Sequence, residues 1–334
     1  MQSYMQQKIG GFCHIYIGQE AVAVGSIGAL KPDDAVVGAY RDHGLALAKG
    51  MDPKYAMAEM FGKATGCSKG KGGSMHFFDR PHHMYGGHAI VGGQTPLGAG
   101  IAFAYQYEQK DNVCLCYLGD GALNQGALHE AMNLASIWNL PVIFVLENNM
   151  YSMGTHIARG TSMADDLSAK AQAYGMRYAQ CDGLDVIATY QCFQREIANT
   201  RNAQNPQWQR GGIPQYRREG QTPGPAFINV NTYRYKGHSM SDPQKYRSKD
   251  EVTSVEDNDC IQRLVRHLID HQLATQQQID EQDKKAKAIA QEAIQFANTS
   301  PEMPIEELYT DIYVNPFGPF KKGQTAKGFC AEKE

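Results

Sequence analysis

Residues 112–155 read NVCLCYLGDGALNQGALHEAMNLASIWNLPVIFVLENNMYSMGT, and this stretch decides the fold. Val113 to Leu118 is a short apolar run that stops at glycine, and Pro141 to Leu146 is a second, rich in Val, Ile and Phe; both have strand length. The residues between them have helical length, with Ala127, Met132, Leu134, Ala135, Ile137 and Trp138 as the apolar face. Strand, Gly119-Asp120-Gly121 turn, helix, strand and the polar turn Asn148-Asn149 make a βαβ unit, for which a right-handed crossover is expected. Asp120 and Asn149 then stand at the carboxyl ends of neighbouring parallel strands, the edge where open α/β sheets bind ligands. One carboxylate and one amide oxygen there are hard ligands of the kind Mg2+ takes at about 2.0–2.1 Å, leaving further positions for water, a backbone carbonyl and phosphate oxygens. Backbone amides after Gly121 also favour an anion, but an exposed helix dipole contributes only about 0.3–1 kcal/mol, so the metal has to carry most of the binding.

Outward from this unit the same alternation continues. Gln19 to Leu30 is an apolar helix closed by Pro32, and Ala35 to Ala39 is a first strand running into Tyr40-Arg41-Asp42-His43-Gly44. Pro96 to Gln106 is a small-residue helix in which Gly98 and Gly100 allow close backbone contact. A helix near Leu167 to Tyr174, a strand Arg177 to Cys181, a helix Leu184 to Asn202 and a strand Ala226 to Thr232 follow. The fold class is therefore α/β, a doubly wound parallel sheet flanked by helices, over residues 1–250. Residues 251–334 are a helical extension: Val255 to His271, then Gln276 to Thr299 with Ile279, Ala286, Ile289, Ala293 and Phe296 on one face, packing on the core or on another subunit. Residues 202–224, dense in Pro, Gly, Gln and Arg, exceed what an αβ connection needs and read as an exposed insertion.

A chain of 334 residues with a formal net charge of −3 gives no reason to expect nucleic acid or a membrane surface as partner. Its apolar runs all fall short of the roughly 20 residues of a membrane span. The opening MQSYMQQKIGG has neither a signal-peptide core nor transit-peptide character, which points to a bacterial cytoplasm, or to a mitochondrial matrix if a leader is missing. The eight cysteines are scattered, and only Cys114 and Cys116 lie close; on a strand they share a face, as buried structural thiols in a reducing compartment. Two nucleotide motifs fail. A phosphate-binding loop ending at Gly70-Lys71 would need Gly in place of Thr65 and a hydroxyl residue in place of Gly72; the dinucleotide pattern would need Gly or Ala in place of Asn124 or Phe103.

Seven segments, taken in order, resemble a known family: GFCHIYIGQEA (11–21), AYRDHG (39–44), GKGGSMH (70–76), GGHAIVGGQTPLGAGIA (86–102), GDGALNQGALHEAMNLAS (119–136), ENNMYSMGT (147–155) and TYRYKGHSMSDP (232–243). Together they resemble the thiamine-diphosphate-dependent 2-oxo acid dehydrogenases, most closely the α-subunit of the decarboxylating component of pyruvate dehydrogenase complexes. The resemblance implies the thiamine-diphosphate-binding fold and the cofactors thiamine diphosphate and Mg2+. It implies oxidative decarboxylation of pyruvate, with acetyl transfer to a lipoyl-bearing acyltransferase. By the same resemblance Asp120, Asn149 and the main-chain oxygen of Tyr151 hold the metal, with Gly121 and Ala122 beside the diphosphate. Tyr40 and Arg41 meet phosphate oxygens, and Ala89 and Val91 hold the aminopyrimidine; relatives often have Gly at position 89. His14 and His238 are the candidate acid and base, His238 on a mobile polar loop and also in reach of the diphosphate. The glutamate that activates the aminopyrimidine resides in the family on a separate β-subunit, which implies an α2β2 assembly with its site between chains. Branched-chain 2-oxo acid and acetoin dehydrogenase α-subunits are the alternatives within the class, and a non-catalytic cofactor-binding paralogue is the alternative outside it.

Overall fold

A computed structural model describes residues 1–203 and 223–314. The expected insertion over 202–224 lies almost entirely outside the described residues. Eight strands follow in order: β1 Ala35–Ala39, β2 Met84–His88, β3 Cys114–Gly119, β4 Val142–Asn148, the short antiparallel pair β5 Tyr151–Ser152 and β6 Thr155–His156, then β7 Arg177–Asp182 and β8 Ala226–Asn231. The main sheet has the order β2-β1-β3-β4-β8-β7, and every pairing in it is parallel. From β1 the chain steps outward to β2, then returns to β3 on the other side of β1. That reversal is a topological switch point, and it opens a crevice beyond the carboxyl ends of β1 and β3.

Period-two alternation divides the strand side chains between two layers. Val36, Leu115, Ile143 and Ile228 face a core completed by Phe193 and Ile197 of the helix Val186–Asn202 and by Val22 and Ile27 of the helix Glu20–Gly28. Val37, Cys116, Phe144 and Phe227 face a second core under the helices Gln94–Tyr107 and Gly126–Ile137. All seven residues of β4 are buried, as a central parallel strand covered on both faces requires. Cys114 and Cys116 share one face and are buried and unpaired, as expected. A Cβ on Gly98 would stand 2.7 Å from Cys116 Cβ, so glycine lets its helix lie directly on β3. Gly100, expected to do the same, faces open space.

Other expectations are also corrected. The buried face of Gly126–Ile137 is Leu128, Ala131, Met132 and Ala135, at the i, i+3, i+4, i+7 spacing, while Leu134 is exposed and Ala127 only half-buried. The single helix expected from Val255 to His271 is two, Lys249–Glu256 and Cys260–Asp270. They are separated because Asp259 caps the second, accepting from the backbone N–H groups of Ile261 and Gln262. Gln276–Thr299 forms as expected, opened by a capping box between Thr275 and Gln278, yet of its expected stripe only Ala293 is buried, joined by Ala297 from outside it. Its last turns pack on the helix Pro53–Met60, where Tyr55 meets Phe296 edge-on at 5.9 Å; residues 280–292 are exposed. Among the described residues no helix is long and apolar enough to cross a membrane.

Buried Asn139 ties together the described residues on either side of 204–222. Its Nδ2 donates to the carbonyl of Ala203 at 2.7 Å and its Oδ1 accepts from the N–H of Gly224 at 2.6 Å.

Candidate functional site

Five strand ends deliver residues to one cleft. Tyr40 follows β1, Ala89 and Val91 follow β2, Gly121 and Ala122 follow β3, Ser152 and Met153 follow β4, and His238 follows β8; all line it, together with His14 and Met75. Residues more than two hundred positions apart in sequence are thereby in contact. The His14 ring lies 4.6 Å from the Tyr40 ring and 4.9 Å from the His238 ring, centroid to centroid.

Both histidines are held neutral. His14 is buried, its Nδ1 has no protein partner, and burial, helped by the nearby Arg41, His238 and His43, pushes its pKa down to about 3. His238 is pushed down to about 4 by burial and by Arg41 and Arg234, against the opposing pull of Asp242. The His238 loop was expected to be mobile, but here it is tied at both ends of one residue. His238 N–H donates to Asp242 Oδ2 at 2.6 Å, and its carbonyl accepts from Arg41 Nη2 at 2.8 Å. Arg41 Nη1 donates to the carbonyl of Ile15 at 2.6 Å, so this one buried guanidinium staples the His14 and His238 segments together. Arg41 does not line the cleft; it supports the pair that does.

Between Gly119 and Gly121 of the cleft wall, though not itself a lining residue, Asp120 is buried, and its Oδ2 has no hydrogen-bond partner; Asn149 and Tyr151 likewise stand behind the lining. Burial raises its pKa to about 6, with Arg234 pulling the other way. Asn149 Oδ1 and the Tyr151 carbonyl both accept from Nη1 of Arg234, the former at 2.9 Å, so the two oxygens converge. Among the described residues no three His, Cys, Asp or Glu side chains come together as a metal cluster. A cation here would instead meet one carboxylate, one amide oxygen and one carbonyl, a hard-oxygen set that suits Mg2+. The uncompensated Asp120 oxygen is the observation that makes the residues fit such an ion, because a cation removes the cost of burying it. The backbone is equally constrained: a Cβ on Gly121 would fall 2.1 Å from Ser152 Oγ.

Several site residues escaped the sequence reading. Arg234, the largest fully buried side chain described, also donates to the Met153 carbonyl and the Tyr246 hydroxyl. Glu147, buried in β4, is pushed up to about 7 by burial, against the hydrogen bonds it accepts from Tyr16 and Gln19 and the nearby Arg41. The available signal was a charged residue among apolar or aromatic neighbours, Glu147 at the end of the strand VIFVLEN and Arg234 between two tyrosines just past β8, since buried charge is seldom placed without a partner. Met75 arrives through the Gly70–His76 loop, which wraps the buried carboxylate of Glu59: N–H groups of Ser68, Gly70 and Gly72 donate to it at 2.7, 2.8 and 2.7 Å. Lys71, which a nucleotide loop would aim at phosphate, is bound to Asp311 at 2.8 Å and Thr310 Oγ1 at 2.7 Å.

Residues 1–207 and 213–306 match the family model described as dehydrogenase E1 component, and the break falls inside the proline- and glycine-rich segment 202–224. The chain is 45% identical over 313 residues to the pyruvate dehydrogenase E1 component subunit alpha of Rickettsia prowazekii, covering 94% of this chain and 90% of that one. It is 45% identical over 312 residues to the subunit of the same name from Rhizobium meliloti, 93% and 84% of the two chains. Against the mitochondrial subunit alpha-1 of Oryza sativa the identity is 42% over 326 residues, 94% and 75%.

Proposed function

Because the chain belongs to the dehydrogenase E1 component family, we propose that it is the α-subunit of a pyruvate dehydrogenase, acting with thiamine diphosphate in the oxidative decarboxylation of pyruvate and the acetylation of a partner's lipoyl group. Two neutral imidazoles lining a switch-point cleft, with an unpartnered buried carboxylate and two ligand oxygens just behind its wall, carry this reading. When bound, thiamine diphosphate supplies the nucleophilic carbon and the electron sink.

The chain's own residues do the rest. Asp120, Asn149 and the Tyr151 carbonyl would hold Mg2+ and through it the diphosphate, beside the backbone of Gly121 and Ala122. The main chain of Ala89 and Val91 would hold the aminopyrimidine, with the Val91 side chain as an apolar prop. Tyr40, on the cleft wall, would face the phosphate end, while Arg41, its Nη atoms bound to the Ile15 and His238 carbonyls, adds positive charge from behind. His14, through its free Nδ1, and His238 are placed to hold the substrate's oxygens and move protons there. With pKa values pushed down to about 3 and about 4, either imidazolium passes its proton on rather than keeping it.

The cleft is open on one side, and around its mouth Phe12, Ile90 and Met153 are 64%, 78% and 64% exposed. A large apolar rim of this kind fits a β-subunit that closes the site and contributes the activating glutamate, in an α2β2 assembly serving a lipoyl-bearing acyltransferase. The test is reconstitution with the β-subunit, Mg2+ and thiamine diphosphate, followed by turnover of pyruvate, 2-oxoisovalerate and acetoin in parallel, read as reductive acylation of the lipoyl group. Pyruvate is expected to turn over fastest; if it is the poorest of the three, the pyruvate reading falls in favour of a branched-chain or acetoin enzyme.

A further inference from the structure

Beneath the cleft, buried side chains form one directed chain of hydrogen bonds. Arg234 Nη1 donates to Asn149 Oδ1 at 2.9 Å, Asn149 Nδ2 donates to Gln19 Oε1 at 3.1 Å, and Gln19 Nε2 donates to Glu147 Oε1 at 3.3 Å. The Tyr16 hydroxyl donates to the same oxygen of Glu147. Arg234, Asn149, Gln19 and Glu147 are 1%, 7%, 1% and 5% exposed, so water does not substitute for any link.

The sense of this chain is imposed from both ends. A guanidinium has donors only, and Glu147 Oε1 takes two donors at once. The two carboxamides between them are nearly symmetric in shape, so packing alone does not distinguish oxygen from NH2; their neighbours do. Turned over, Asn149 would set its NH2 against Arg234 and its oxygen against an acceptor, two buried mismatches made together.

We propose that Gln19 and Glu147 are positioning residues that fix which atom of the Asn149 carboxamide faces the metal position, with Arg234 holding that oxygen from the other side. The proposal rests on the Mg2+ and thiamine diphosphate reading given above. It assigns a role to two residues that never touch the ion: they turn a near-symmetric amide into an oxygen ligand before the metal arrives.

The experiment uses the αβ assembly with thiamine diphosphate and follows Mn2+ uptake by the electron paramagnetic resonance signal of the free ion, with thermal unfolding recorded for every variant. Gln19→Met keeps the length and removes both the acceptor and the donor of the carboxamide; it is expected to raise the Mn2+ half-saturation concentration by roughly tenfold or more. The exchanged pair, Gln19→Glu with Glu147→Gln, keeps an acceptor facing Asn149 Nδ2 and a donor able to meet it from position 147, and is expected to stay within about threefold of wild type. Gln19→Met titrating like wild type overturns the proposal. So does a folded exchanged pair that loses affinity as fully as Gln19→Met, and this second comparison decides alone if the methionine variant does not assemble. Wild-type assembly that takes up no Mn2+ overturns the underlying functional reading, and the positioning role with it.

Discussion

Replacing His43 with Gln removes one titrating group from beneath the site while leaving an acceptor in place. His43 Nε2 accepts the N–H of Tyr16 at 3.0 Å, so its proton is on Nδ1, which is buried without a partner. Although part of the residue reaches the surface, Nδ1 is enclosed and Nε2 is engaged by Tyr16; burial, with Arg41 adding to it, pushes the pKa down to about 4. The unfolded chain takes up a proton near pH 6.5, whereas the folded chain resists until about pH 4. A depressed histidine thus stabilises the fold above pH 6.5, and that contribution is lost as pH falls below it. At pH 5 the unfolded state has gained almost the whole proton and the folded state about a tenth, a difference of about 2 kcal/mol relative to pH 7. Urea unfolding of wild type and His43→Gln at pH 7 and pH 5 measures it. The variant is expected to lose about 2 kcal/mol less stability than wild type over that interval, because glutamine offers its oxygen to Tyr16 without titrating. Equal pH dependence in the two proteins would refute the claim that an enclosed, neutral His43 holds the Tyr16 segment.

Four further outcomes are expected. Gly98→Ala forces a methyl into Cys116 at 2.7 Å, and the unfolding free energy should fall by about 1–3 kcal/mol, read by chemical denaturation. Asp120→Asn removes the carboxylate from the ligand set and should weaken Mg2+-dependent uptake of thiamine diphosphate by roughly a hundredfold, measured by calorimetry on the assembly. His238→Ala, which leaves Asp120 and Asn149 untouched, should lower acetyl transfer by about a hundredfold or more with cofactor binding largely retained; undiminished activity would favour a non-catalytic, scaffolding role. Ile90→Asp places a charge on the apolar rim and should reduce co-purification of the β-subunit, while the isolated chain unfolds as before.

The strands were legible where chemistry and pattern agree. Val113 to Leu118 and Pro141 to Leu146 are apolar runs bounded by glycine and proline, and they became β3 and β4, each starting one residue later than expected and ending one or two residues further on. β2 escaped notice because Gly86 and Gly87 lie inside it, and glycine hides the apolar signature of a strand. Asp120 and Asn149 were singled out from their places at the ends of two apolar strand runs, whereas His14 and His238 were singled out only by the resemblance of the segments that carry them. What the sequence withheld is the network behind them. Nothing in the spacing of Gln19, Glu147 and Arg234 announces contact, since the sheet order that brings β8 beside β4 is set by tertiary packing. The helix Gly126–Ile137 shows the opposite case, in which the period was right and the phase wrong: Leu128 and Leu134 are equally apolar, and only the sheet beneath decides which is covered.

The carboxamide of Asn139 closes a circuit between Ala203 and Gly224 on the far side of the sheet from the catalytic edge. Lengthening a closed circuit costs little, because closure entropy grows only with the logarithm of its length. The two anchors therefore fix where the chain leaves the sheet and where it rejoins it, and the positions of those two points do not depend on how many residues are strung between them.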